Sequence, residues 1–242
     1  MEIAHLQLLS LLDYPEKVSA VVWTVGCNLR CPFCYNAELV LPGLVHGLPR
    51  LPLEEAVAAL AKRARFLDGL VVTGGEPTLH RDLPLLLQEV KALGLLVKLD
   101  TNGTRPAVLR SLLEDGLVDY VALDVKAPLA RYPEFTGLLP LDHVPDSSAV
   151  VAGVREAVAL VRERTPDYEF RTTVAPGLVR EDLIAIAGEL RGARRYVLQP
   201  FFPPEGKRLV DEAWRGRPAL TVEELRSLVP ELQKIVPTEL RG

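Results

Sequence analysis

Six times along this chain a short apolar run is followed by a stretch whose apolar residues recur at steps of three and four. The runs lie at 18–24, 69–75, 95–103, 117–128, 168–177 and 194–204. The periodic stretches follow at 53–67, 83–93, 108–113, 150–161, 181–190 and 225–235. An apolar run closed by Gly, Asn-Gly or Pro reads as a buried strand, and the three-four step as one face of a helix. Strand-helix-strand crossovers are right-handed, so repeated units build a parallel sheet with its helices outside. Six units are two short of a closed eight-fold barrel. The fold class expected is therefore α/β, an open three-quarter (β/α)6 partial TIM-type barrel, with a flat doubly wound sheet as the competitor. The expected organisation is a single domain over 1–242: an N-terminal segment 1–17, a core 18–200, and a tail 201–242 made of a surface loop and a closing helix.

In such folds polar groups converge at the carboxyl ends of the strands. Cys27, Cys31 and Cys34 follow the first run, and Gly74, Gly75, Glu76 and Pro77 the second. Asp100, Thr101 and Asn102 close the third, Asp124 and Lys126 the fourth, Arg171 and Thr173 the fifth, and Gln199 the sixth. Apolar strands that end in polar residues six times over predict one shared site.

The cysteines are the only three in the chain and fall within GCNLRCPFC. An odd, clustered set does not read as a disulfide framework. The start, MEIAHLQLLSLLDYPEK, lacks the basic region and apolar core of a signal peptide, and no run approaches the ~18 apolar residues of a membrane span. The expectation is a cytoplasmic chain with no membrane association, where clustered thiols serve metals or catalysis. A net charge of −4 leaves no electrostatic footprint for direct DNA binding. Three thiolates satisfy three of the four irons of a [4Fe–4S] cluster and leave the fourth open to a ligand. The competing reading is a zinc loop, which needs a fourth ligand; His5, His46, His80 and His143 all lack finger-like spacing.

CNLRCPFC, with Phe33 before the third cysteine, resembles the CxxxCxΦC loop of the radical S-adenosylmethionine (SAM) superfamily, and GGEP at 74–77 resembles its second motif. The resemblance implies that SAM chelates the open iron and is reductively cleaved to methionine and a 5′-deoxyadenosyl radical. It further implies a cofactor-binding set of Phe33, Tyr35, Gly74, Gly75, Glu76, Pro77, Asp100, Asn102, Lys126, Arg171 and Gln199. Within that set the glycines would let backbone carbonyls approach the methionine ammonium, Glu76 would hold the loop, and Phe33 and the Tyr35 backbone would meet adenine. LDTNG (99–103) and LDVKA (123–127) resemble the activating enzymes of glycyl radical proteins. That likeness implies a monovalent cation on Asp100, Thr101 and Asp124, with Lys126 on the methionine carboxylate. Hard oxygens suit a hard cation, and an ammonium beside a carboxylate is a charge-assisted pair.

Within that group, SLLDYPEK, VKLDTNG, GLVDYVALDVKAP, YEFRTTVAPG and RYVLQPF resemble activating proteins of anaerobic ribonucleoside-triphosphate reductase. Two positions depart from the pattern. Tyr35-Asn36 stands where His-Asn is frequent, and Phe202 stands where related activases carry a histidine, leaving Gln199 as the polar substitute. No cysteine remains for a second cluster. The implied function is generation of a glycyl radical on a separate enzyme in trans, with an electron donor such as flavodoxin or ferredoxin. Asp13 is expected to help dock that partner at the rim, with Tyr14 either joining the rim or plugging the end of the barrel. One alternative is a stand-alone enzyme acting on a small molecule or RNA base, similar to 7-carboxy-7-deazaguanine synthase, with 36–50 covering the barrel mouth. The other is a non-enzymatic zinc-binding regulator.

Overall fold

The computed structural model describes residues 1–137 and 147–242, so His143 lies outside the described residues. Eight strands form one sheet: β1 (Ile3–Ser10), β2 (Ser19–Thr24), β3 (Gly69–Gly74), β4 (Leu96–Thr101), β5 (Tyr120–Asp124), β6 (Asp167–Val174), β7 (Tyr196–Pro200) and β8 (Thr238–Leu240). Their order across the sheet is their order in the chain. A doubly wound sheet reverses direction at a switch point; this one never does, which rules out the flat competitor. The β1–β2 pair is antiparallel and every later pair is parallel.

The six expected strands are β2 to β7, and two elements were not foreseen. Residues 3–10, assigned to a segment outside the core, form β1, which brings Ile3 to full burial and lines the edge of β2. After the closing helix Val222–Leu232 the chain adds β8 beside β7.

Helices Leu53–Ala61, Leu83–Ala92, Pro106–Glu114, Ser147–Arg164, Arg180–Glu189 and Val222–Leu232 connect or follow the parallel strands. Pro at the first or second helical position opens two of them, where no N–H is needed. Thr221 and Glu224 cap the last reciprocally through side chain and backbone. The helices bury Leu60, Leu86, Val90, Leu109, Val154, Ile186 and Leu232 against the outward residues of the strands, including Leu70, Val72, Val97, Leu99, Val121, Leu123 and Phe170. A fully buried aliphatic side chain of this kind contributes about 1.5–3 kcal/mol.

The inward residues are the intervening ones, because side chains alternate across a strand. Tyr14, Val21, Val71, Tyr120 and Ala122 form a second apolar cluster inside the curve of the sheet. Tyr14 is 5% exposed, and its ring lies against the backbone of Gly69, the first residue of β3, so it plugs the amino end of the lumen rather than standing on a rim.

Candidate active site

Above that plug the lumen opens into a cavity of about 330 Å³. Its wall brings together Cys27, Cys31, Phe33, Cys34, Tyr35, Gly74, Gly75, Glu76, Asp100, Thr101, Asn102, Asp124, Lys126, Arg171, Thr173 and Gln199, with Asp13 at its border. Of the residues proposed from the sequence, only Pro77 is absent from the wall; it is buried in the turn Pro77–Leu79 behind Glu76.

The cysteine loop leaves β2 and is fixed by short-range contacts. The Sγ of Cys27 accepts from the Leu29 amide at 3.4 Å, and the Cys34 amide donates to the Cys31 carbonyl at 3.0 Å. Asn102, at the end of β4, donates to Asn28 at 3.0 Å and lies 3.8 Å from the Cys27 sulfur. Among the described residues, no three His, Cys, Asp or Glu side chains converge on a point where one metal ion could sit. The thiols instead border a cavity. Burial pushes the Cys27 thiol up to about 11, and raises Cys31 and Cys34 as well. Left alone these sulfurs stay protonated; the donor set fits a soft, cationic, multi-iron group that would displace their protons.

Gly74 and Gly75 meet a packing requirement of their own. An ideal Cβ on Gly75 would stand 1.9 Å from the Gly26 carbonyl oxygen, and one on Gly74 2.4 Å from the Thr24 amide nitrogen. Gly74 also has φ +113°. Their lack of side chains lets the ends of β2 and β3 meet, which sets the cysteine loop beside the GGEP turn. Glu76 then ties that turn to β4. Its fully buried carboxylate accepts from the Thr78 amide and hydroxyl, the Thr101 hydroxyl and the Asn102 amide.

Across the cavity lies a ladder of alternating charge. Lys98 Nζ is 2.5 Å from one oxygen of Asp100, and Arg171 Nη1 is 3.3 Å from the other. The Arg171 Nε donates to Asp124 at 2.9 Å, and Lys126 Nζ lies 3.3 Å from the remaining Asp124 oxygen. Burial is the largest influence on each carboxylate and opposes its charge, but Arg171 together with Lys98 at Asp100 and with Lys126 at Asp124 outweighs it, and both are held below the ordinary carboxylate range. Burial likewise opposes the charge on Lys126, but Asp124 and the other anionic groups nearby together overcome it and raise its pKa.

This ladder bears on the expected monovalent cation. Every oxygen of Asp100 and Asp124 already faces a side-chain cation, and the Thr101 hydroxyl donates to Glu76. Lys98, which the sequence reading passed over, is the partner that completes the arrangement. Its signal was its position in the strand: Leu96, Lys98 and Asp100 alternate onto one face. Trp23 and Thr73, also on the wall, are inward residues of β2 and β3 that were read only as strand residues.

Other placements refine the expectations. Phe33 borders the cavity but also packs 6.1 Å from the ring of Trp214. Tyr35 is 42% exposed. Phe202 is 62% exposed and lies off the wall, whereas Gln199 is on it. Asp13 sits in the turn between β1 and β2, where its carboxylate accepts from the Ser10 hydroxyl. That turn is at the amino end of β2, across the lumen from the cysteine loop. No helix of the described residues is long and apolar enough to cross a membrane.

A carboxyl-end site with three clustered thiols on a sequentially ordered partial barrel defines a class, and comparison with known proteins names it. The Radical SAM superfamily profile matches residues 21–190. The chain belongs to the radical SAM superfamily and is a radical SAM enzyme. A Methanocaldococcus jannaschii protein provisionally named a glycyl-radical enzyme activating enzyme is 34% identical over 222 residues, 91% of this chain and 87% of that protein. The 7-carboxy-7-deazaguanine synthase of Hyperthermus butylicus is 44% identical over 93 residues, which is 38% of this chain and 37% of that enzyme. Among solved structures, SuiB of Streptococcus suis bound to the precursor peptide SuiA superposes with a TM-score of 0.69 at 14% identity. It covers 92% of this chain, which spans 48% of SuiB, so the likeness is one of fold.

Proposed function

We propose that this chain generates a glycyl radical on a separate protein. The observation that carries the reading is the end-to-end likeness to the M. jannaschii protein, set beside the much shorter match to the deazaguanine synthase. The cavity gives physical support. At about 330 Å³ it lies near the lower end of the ~300–1,000 Å³ typical for one small-molecule ligand. An extended polypeptide can present its hydrogen donor to such a site from outside.

Cys27, Cys31 and Cys34 would hold a [4Fe–4S] cluster. When bound, that cluster supplies the electron that cleaves SAM to methionine and a 5′-deoxyadenosyl radical. The chain's own residues do the rest. Lys126 and Arg171 offer positive charge to a carboxylate, with Asp100, Asp124 and Lys98 fixing their directions. Glu76 keeps the GGEP turn against β4, and Asn102 braces the cysteine loop. Tyr14 closes the far end of the lumen to water. Arg171 and Lys98 take the place of the expected monovalent cation. Docking through Asp13 would have to occur at the amino-end turn.

The test is anaerobic incubation of reconstituted protein with SAM, a low-potential reductant such as flavodoxin or ferredoxin, and a candidate partner, followed by electron paramagnetic resonance. The expected result is a glycyl radical doublet on an anaerobic ribonucleotide reductase or another glycyl radical enzyme. Turnover of a small molecule with no protein radical would overturn the reading in favour of the stand-alone alternative.

A further inference from the structure

The tail between β7 and the last helix was expected to be a surface loop, yet Leu209 is fully buried and Trp214 is 8% exposed. This segment runs along the outer side of the cysteine loop. The Val210 amide donates to the Cys34 carbonyl and the Asp211 amide to the Pro32 carbonyl, both at 3.0 Å. Lys207 Nζ lies 2.5 Å from Glu38, just beyond the loop. Trp214, in the short turn Glu212–Trp214, stands 6.1 Å from Phe33 and meets Phe135 edge-on at 5.8 Å. The Arg217 guanidinium covers the Trp214 ring at 4.7 Å. Phe135 belongs to Tyr132–Thr136, whose last carbonyl accepts from the Arg30 amide at 2.9 Å.

The cysteine loop is thus clasped between a cavity on its inner side and an aromatic layer on its outer side. Within the loop the backbone supplies only the Leu29 amide on the Cys27 sulfur and the Cys34–Cys31 turn, so the outer layer adds contacts to a sparsely bonded loop. We propose that Trp214 is a positioning residue for the cluster site. Through Phe33, and with the two amides of the strap 207–214, it holds the cysteine loop in the geometry that keeps a bound cluster from dissociating. Trp214 does not line the cavity; it acts through Phe33 and the loop backbone.

The proposal rests on the reading that Cys27, Cys31 and Cys34 bind a [4Fe–4S] cluster, and the experiment separates the two. Wild type, Trp214→Ala, Trp214→Phe and Lys207→Ala are reconstituted anaerobically, and iron release to excess chelator is followed by absorbance below the melting temperature of each. Trp214→Ala is expected to take up as much iron as wild type and lose it about tenfold faster, the factor corresponding to the ~1.4 kcal/mol at the upper range of aromatic pairs. Trp214→Phe is expected to restore most of the retention. Lys207→Ala, at an exposed position with no risk to folding, is expected to raise the loss rate about twofold, as a surface ion pair allows. Release from Trp214→Ala at the wild-type rate overturns the proposal. So does a rate that tracks the fall in melting temperature and is not rescued by Phe. If Trp214→Ala does not fold, release from Lys207→Ala at the wild-type rate overturns it. Failure of wild type itself to bind iron refutes the cluster reading instead.

Discussion

The two ends of the lumen are built by the same strands and differ most sharply along β3 and β5. At the amino end Tyr14 stands 5.6 Å from Tyr120 and packs with Val21, Val71 and Ala122. At the carboxyl end the next inward residues are Thr73, Asp124 and Arg171. One step of two residues along β5 turns Ala122 into Asp124. The difference teaches that inward positions are not uniformly core or uniformly site: along β3 and β5 the chemistry is graded from apolar to polar, whereas β4 and β6 already carry buried Lys98 and Glu169 level with Tyr120 and Ala122.

The sharpest way to break this contrast is to remove a thiol. Cys31→Ser is expected to abolish stable cluster binding, read as iron per chain after anaerobic reconstitution, with secondary structure retained by circular dichroism. Next in size is Arg171→Met, which leaves Asp100 and Asp124 facing each other without their shared guanidinium. Breaking a buried ion pair on one side costs about 3–5 kcal/mol, to be measured by urea unfolding of the cluster-free protein. Adding Asp124→Asn to Arg171→Met should recover part of that loss.

The sealed end is expected to matter for stability alone. Tyr14→Ala should cost about 3 kcal/mol, the lower part of the range for truncating a buried aromatic residue, with SAM affinity of the reconstituted enzyme unchanged. Lys126→Ala should show the reverse: affinity for SAM weakened by about 1.5–3 kcal/mol, as for a hydrogen bond to a charged group, with little change in unfolding. Equal effects of both variants on both measurements would erase the distinction between the ends. The smallest effect is in acid. Asp100 and Asp124 have folded pKa values below the ordinary 3.8. Each therefore contributes stability that is present above that pH and lost as pH falls through the folded value. Unfolding free energy of the apo-protein should drop below about pH 4, and Asp100→Asn should flatten that slope while Tyr14→Phe leaves it intact.

The sequence carried the core strands and the site wall clearly, because both rest on local signals. Strands β2 to β7 announce themselves by apolar runs, and the site residues by polar breaks at their ends. What escaped was set by partners distant in the chain. β1 alternates (His5 and Gln7 against Leu6 and Leu8), but its identity as an edge strand depends on pairing with β2. β8 is three residues, Thr-Glu-Leu, with no apolar run to mark it. The burial of Trp214 comes from Phe33 and Phe135, 181 and 79 positions earlier, which no spacing rule reaches. Gly74 and Gly75 were legible as necessary glycines, but their close approach to the backbone of β2 and its exit was not, because it depends on two strands far apart in the chain.

The sequential strand order has a consequence for how the molecule forms. Each parallel strand pairs with the strand that precedes it, so no pairing waits for a distant segment to return across the sheet. Loop-closure entropy grows with the span to be closed, and folding slows with it. Here every closure spans only the connection between neighbouring strands, and the sheet can grow by accretion in the order of synthesis. The growing edge is exposed until the next unit docks, and the terminal increment, three residues of β8 against β7, is also the one with the fewest backbone hydrogen bonds to hold it.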